Sequence, residues 1–237
     1  MSHSYLDSFL FSCLPAVFLL IGAVIASLFT PNKVVKSVVQ HFASGVVFAA
    51  VAVELIPLML TGEANWTIVF GFIIGVFLVL GLHSLAHRVK KSKWRSKIPY
   101  SMTAAIGIDL FLDGLLIGVA FIAGETAVAL IAISLSACAF FLAFALMGKL
   151  KKVNLLPKWG LMLALAILLP LGAMVGQTLI ITLPVTWYYE ILAFGIAALL
   201  YLALEELFID AHEEIHGGWI CSAFFLGFLA ILLLRIH

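Results

Sequence analysis

Residues 218–236 read GWICSAFFLGFLAILLLRI, with a single charged side chain, Arg235, near the end. Seven similar runs precede it, at about 7–29, 38–61, 66–87, 100–122, 126–147, 159–182 and 187–209. A helix needs ~20 apolar residues, at ~1.5 Å rise each, to cross a hydrocarbon core ~30 Å thick. Lipid offers no partner for backbone N–H and C=O groups, so runs of this kind are expected as helices. Composition points the same way. Hydrophobic types make up 65% of the 237 residues and charged types 11%, where a soluble domain carries roughly a quarter charged residues. Too few polar side chains remain to cover a water-facing surface. The expectation is an all-α membrane protein with eight transmembrane helices, forming a single domain over 1–237. The N-terminal MSHSYLDSF lacks a basic segment, so the first span is expected to be retained rather than cleaved as a signal.

The basic residues sort by loop. Lys33 and Lys36 follow span 1. Arg88, Lys90, Lys91, Lys93, Arg95 and Lys97 follow span 3. Lys149, Lys151, Lys152 and Lys158 follow span 5. With eight spans these loops share one side, which takes twelve of the thirteen Lys and Arg residues. The positive-inside rule makes that side cytoplasmic and puts both termini outside. The run RVKKSKWRSK is read as a topogenic loop at anionic headgroups, so lipid is the expected partner and nucleic acid is not. Cys13, Cys138 and Cys221 lie within spans and form no ligand-type cluster. They are read as small apolar fillers.

Two features concern organisation. Small residues recur four apart at Gly71 and Gly75, Gly114 and Gly118, and Gly172 and Gly176, the spacing of close helix packing. Span 2 contains AVAVELIP and span 7 YLALEELFID, an echo five spans apart. An odd offset reverses direction, so spans 1–3 and 6–8 are expected as inverted repeats flanking spans 4 and 5. Inverted repeats with a midplane site are a common transporter plan.

The ionisable residues inside the spans are the candidate chemistry. Asp109 and Asp113 lie on one face of span 4, ~14 Å and ~20 Å from its cytoplasmic edge by helix rise. A carboxylate there costs roughly 2.5–3.5 kcal/mol on insertion scales. Two in one place also repel unless a proton or a cation intervenes. The pair is therefore the candidate cation site, set against two protonated carboxyls that merely bond to neighbouring helices. Glu54 lies ~24 Å along span 2 and His41 ~5 Å, and Pro57 after Glu54 is read as a helix end or kink. At the end of span 7, Glu206, Asp210 and Glu213 share a face, and His212 pairs with His216. This group is read either as a wet acidic helix end or as a vestibule through which metal leaves.

HEEIH at 212–216 also matches the H-E-x-x-H pattern of zinc hydrolases. LDG at 112–114 resembles the aspartate motif of intramembrane metalloproteases. Two features oppose an intramembrane protease. The motif order is reversed relative to that family, and Asp113 lies ~20 Å deep while His212 lies at the edge. One zinc gathers its ligands at ~2 Å.

The chain resembles the ZIP (Zrt/Irt-like) family of divalent-metal transporters. HFASGVVFAAVAVELIP looks like that family's second helix, and DLFLDGLLIGVAF its fourth, usually H-N-x-x-D-G-x-x-x-G. LLPLGAMVG looks like the sixth-helix EPLGA stretch, and AALLYLALEELFIDAH the seventh helix. The resemblance implies eight spans in a three-two-three inverted arrangement, a homodimer, and a divalent cation as cargo, with no resident cofactor and no enzymatic reaction. It departs at several ligands. Asp109 takes the place of the fourth-helix histidine and Leu110 that of the asparagine, while Asp113 is kept. Leu169 stands where the sixth helix has its glutamate. The fifth-helix H-x-x-P-E is absent, leaving Ser134, Ser136 and Cys138.

The expected metal-contacting set is Asp109 and Asp113 at the centre and Glu54 near the outer mouth. Glu206, Asp210, His41 and His212 then line the inner exit. An oxygen-rich site suits Mn²⁺, Mg²⁺ or Fe²⁺, and zinc also accepts carboxylates. A bacterial cytoplasmic membrane is the expected location. A proton-coupled exchanger on the same scaffold, or a relative that no longer transports, are the alternatives.

Overall fold

The computed structural model describes residues 5–29, 33–61, 66–90, 100–121, 124–150, 153–184, 186–204 and 218–236. These form α1 (Tyr5–Leu28), α2 (Lys33–Ala50, continued through Val51–Leu55 and Ile56–Leu60), α3 (Trp66–Lys90) and α4 (Tyr100–Ala120). They continue as α5 (Glu125–Lys149), α6 (Leu155–Thr182), α7 (Thr186–Leu202) and α8 (Gly218–Ile236). Among the described residues there is no strand. Each helix falls on one of the expected apolar runs. Six are long and apolar enough to cross a membrane: Tyr5–Leu28, Ser37–Leu60, Met102–Ala120, Glu125–Lys149, Leu155–Thr182 and Trp219–Ile236. Trp66–Gly81 and Trp187–Tyr201 are shorter apolar stretches.

The bundle has an inside and an outside in the sense appropriate to lipid. Phe70, Phe77, Leu156, Phe225 and Ile236 are among many large apolar side chains left exposed. Such side chains need a hydrocarbon solvent. Of the six long apolar helices, α5 is the most enclosed and α8 the least. The turn from α4 into α5 runs through Gly124, whose φ of 95° suits a residue without Cβ.

Helix pairs meet where side chains vanish. A Cβ added at Gly114 or Gly118 would run into the Leu169 or Ala173 carbonyl of α6. One added at Gly172 or Gly176 would run into the Phe111 or Leu115 carbonyl of α4. These two backbones touch along two turns, so all four glycines are needed at once. Gly71 and Gly75 of α3 meet Glu190 and Phe194 of α7 in the same way, as the spacing predicts. Gly45 and Gly227 bring α2 and α8 together, a contact that no four-residue spacing announces.

The packing partners repeat under one exchange of helices: α1 with α6, α2 with α7, α3 with α8, α4 with α5. Thus α4 against α6 is matched by α5 against α1. Likewise α2 against α8 is matched by α7 against α3, and α2 against α5 by α7 against α4. Ser8, early in α1, donates a buried 2.9 Å hydrogen bond to Oε1 of Gln177, late in α6, so those two helices run antiparallel. α1 and α6 also each carry an internal proline, Pro15 and Pro170. A proline removes the donor for the carbonyl four residues earlier.

Pro57 neither ends nor sharply breaks α2. The helix loosens ahead of it into a π-helical turn over Val51–Leu55, closed by Ile56 N–H donating to Val51 O, and then continues to Leu60. The wider turn absorbs the residue that cannot donate. α7 leaves its regular helix in the same way at Ala203–Leu204, just before the acidic segment that echoes AVAVELIP.

Candidate functional site

α4 packs against α6, α5, α7, α3 and α1, which places it inside the bundle. Asp113 is buried, at 2% exposure, and Asp109 one turn earlier is half-buried. Ile106, Leu110, Leu116 and Ile117 around them are fully buried apolar side chains. Oδ2 of each aspartate is buried away from solvent, and both residues have further interactions with their surroundings. The α4–α6 contact sets what lies beside them. Gly114, next in sequence to Asp113, lies against the Leu169 carbonyl, and Leu169 itself is fully buried. Pro170 leaves the Ala166 carbonyl of the same helix without its usual donor. On α5, the hydroxyls of Ser134 and Ser136 are buried and donate to the carbonyls of Leu130 and Ala132, 2.9 Å and 2.6 Å away. Their oxygen lone pairs remain available as acceptors.

Glu54 sits in the π-helical turn of α2 and is nearly fully buried. Its Oε1 lies 2.7 Å from Nε of Arg235, near the end of α8, whose side chain is half exposed. The approach is a charge contact, because Oε1 receives no hydrogen bond of good geometry. Sequence reasoning finds both residues but does not pair them. They are separated by most of the chain, and only the α2–α8 packing joins them.

His41 lies at the other end of the same helix pair and is fully buried. Its Nδ1 is 2.9 Å from Ser37 O, and its Nε2 is 3.9 Å from Sγ of Cys221 on α8. Cys221, read from sequence as a filler, is therefore part of a polar contact. Ser37 and Ser44 nearby on α2 are also fully buried, and Ser44 donates to Ala203 O of α7 at 3.1 Å. All three cysteines are free thiols.

The expected inner-exit residues Glu206, Asp210 and His212, and with them HEEIH, lie outside the described residues. Among the described residues, no three His, Cys, Asp or Glu side chains gather closely enough to hold one metal ion. The structure thus brings together three separate pairs: Asp109 with Asp113, Glu54 with Arg235, and His41 with Cys221. Of the basic end expected from the loops, Lys149 closes α5, and Lys158 stands 5.9 Å over the Trp159 ring at the start of α6. That is a cation–π contact of the kind that anchors helices at an interface.

Compared with known proteins, the chain matches no family model and no curated sequence.

Proposed function

We propose that the chain is a membrane carrier for a divalent metal cation, built on a ZIP-like plan of eight spans with both termini outside. The observation that carries this reading is a buried carboxylate, Asp113, one turn from a second, Asp109, on a helix surrounded by other helices. Buried charge in an apolar bundle is costly, and two like charges on one face more so. A passing divalent cation offsets both carboxylates at once. The cargo then meets oxygen ligands from the aspartates, completed by carbonyl oxygen, serine hydroxyls or water, which suits Mn²⁺, Fe²⁺ or Zn²⁺.

Two further points support the plan. The helix pairs repeat under the exchange that a three-two-three inverted arrangement requires. The Leu169 position, which corresponds to the family's sixth-helix glutamate, falls beside Gly114 and so next to Asp113. Glu54 then stands at the outer mouth with its charge already offset by Arg235. His41, Glu206, Asp210 and His212 belong to the inner side, and a homodimer in a bacterial cytoplasmic membrane is the working assembly.

The test is metal uptake into proteoliposomes. Asp113→Asn keeps the size of the side chain and removes its charge, so initial uptake of Mn²⁺, Fe²⁺ and Zn²⁺ should fall to background while the protein still folds. Uptake at the parent rate would make the pair structural. Asp109→His should keep transport and move preference toward Zn²⁺. The orientation has its own check. A cysteine introduced as Ser92→Cys, in the basic loop, should be shielded from an impermeant thiol reagent in intact cells.

A further inference from the structure

We propose that a groove between α3 and α7 holds one lipid whose headgroup carries a primary ammonium, of the phosphatidylethanolamine type, with an acyl chain in the groove and the ammonium on Glu190. Gly71 approaches the Glu190 carbonyl and Gly75 the Phe194 carbonyl, so α3 and α7 run parallel and start at the same end of the bundle. Between them and the neighbouring α4 and α6 lies a cavity of ≈ 470 Å³. Phe70, Ile74, Leu115, Leu179 and Phe194 help to line it, and its wall is almost wholly apolar. Phe70, Ile74 and Trp187 of this lining are exposed, so the cavity opens on the face that meets hydrocarbon. An acyl chain fills such a groove, because an empty one forfeits the dispersion contacts of its walls.

Two observations place a headgroup at one end. Trp66 opens α3 and Trp187 stands second in α7, and both are exposed, as in the aromatic belt of a headgroup layer. Glu190 follows Trp187 by three residues, ~4.5 Å deeper by helix rise. It is half-buried and lines the cavity, and its side chain makes no hydrogen bond or ion pair among the described residues.

Chemistry selects the headgroup. A primary ammonium carries three N–H donors and forms short charge-assisted hydrogen bonds to a carboxylate. A trimethylammonium has no N–H, and an anionic headgroup is repelled. The Thr67 hydroxyl and the Trp187 indole N–H are donors in the same lining and suit the phosphate of the same lipid. A second copy of the chain is a poorer occupant. A twofold contact presents the same patch from both sides, and Trp66–Gly81 and Trp187–Tyr201 contain no Lys or Arg to meet Glu190.

The test is native mass spectrometry of the whole protein in detergent, without metal. It is titrated with phosphatidylethanolamine, phosphatidylcholine and phosphatidylglycerol of equal chain length. One phosphatidylethanolamine should bind per protomer, about 5-fold more tightly than phosphatidylcholine, the size of one partly screened ion pair. Glu190→Gln keeps the size and removes the charge, so it should bring these two lipids level. Ile74→Trp fills the groove from its exposed side and should weaken all three lipids alike. A preference for phosphatidylethanolamine that survives Glu190→Gln overturns the proposal, as does tighter binding of phosphatidylglycerol. If Ile74→Trp changes the oligomeric state and leaves lipid retention untouched, a second copy covers the groove and the lipid does not. Dodecylammonium displacing phosphatidylethanolamine at equal concentration would make this a site for free amines and also overturn it. None of these readouts depends on metal or on uptake through the aspartates, so either proposal can fail alone.

Discussion

The protein holds buried carboxylates in two ways. Glu54 on α2 meets a cation from its own chain, the Arg235 guanidinium, 2.7 Å away at the end of α8. Asp109 and Asp113 on α4 sit among apolar side chains on a helix that carries no Lys or Arg over Tyr100–Ala120. The first arrangement joins two helices by charge. In the second, two carboxylates share one face of a single helix, where burial and mutual repulsion both raise the cost of ionisation. A carboxylate beside a covalently tethered cation is suited to holding helices together. Under the proposed function, the aspartate pair instead meets a cation in passing.

That contrast can be broken most directly through transport. Glu54→Gln and Asp113→Asn make the same chemical change at the two places. Uptake should disappear in the second and fall much less in the first, measured as initial rates at equal protein per vesicle. Equal losses would mean that Glu54 also binds the cargo, and that Arg235 yields to it.

The next effect is on folding and compares packing instead of charge. Gly172→Val pushes a side chain into the Phe111 carbonyl beside the aspartate helix. Backbone cannot move aside cheaply, so the loss should be about 3 kcal/mol or more, the upper end for overpacking. Gly160→Ala on the same helix α6 meets nothing within 4 Å. It should be neutral or gain up to ~1 kcal/mol of helix propensity. Thermal unfolding of both variants in the same detergent would show the difference. Similar midpoints would mean that the α4–α6 contact is looser than the backbone approach requires.

The smallest effect sharpens the Glu54–Arg235 pair. Arg235 is half exposed and Glu54 is not. Removing the arginine strands a buried charge, whereas removing the glutamate leaves an arginine that can reach water or headgroups. Arg235→Gln should therefore cost more stability than Glu54→Gln. About 1–2 kcal/mol is expected, less than the 3–5 kcal/mol of a fully buried pair, because solvent screens the exposed partner. The reverse order in chemical denaturation would show that Glu54 is already neutral when the protein is folded.

The apolar runs alone located the helices to within a few residues, because in lipid a run of that length has one way to satisfy its backbone. The same rule made charged residues within the runs conspicuous, so Asp109, Asp113 and Glu54 were visible before any fold was known. The glycine pairs on α3, α4 and α6 were visible too, since four-residue spacing puts them on one face. What lay beyond the sequence is which faces meet. Cys221 looked like a filler and Arg235 like a helix end. Each gained a partner about 180 positions away only when Gly45 and Gly227 let α2 and α8 close on one another. One residue of helical register turns a side chain by about 100°. The π turn before Pro57 alters that register within α2 itself. Hydrophobic runs fix where a helix begins and ends but are blind to such rotation, because every face is apolar. Rotation is decided by close contact between backbones, and only the packed bundle contains that contact.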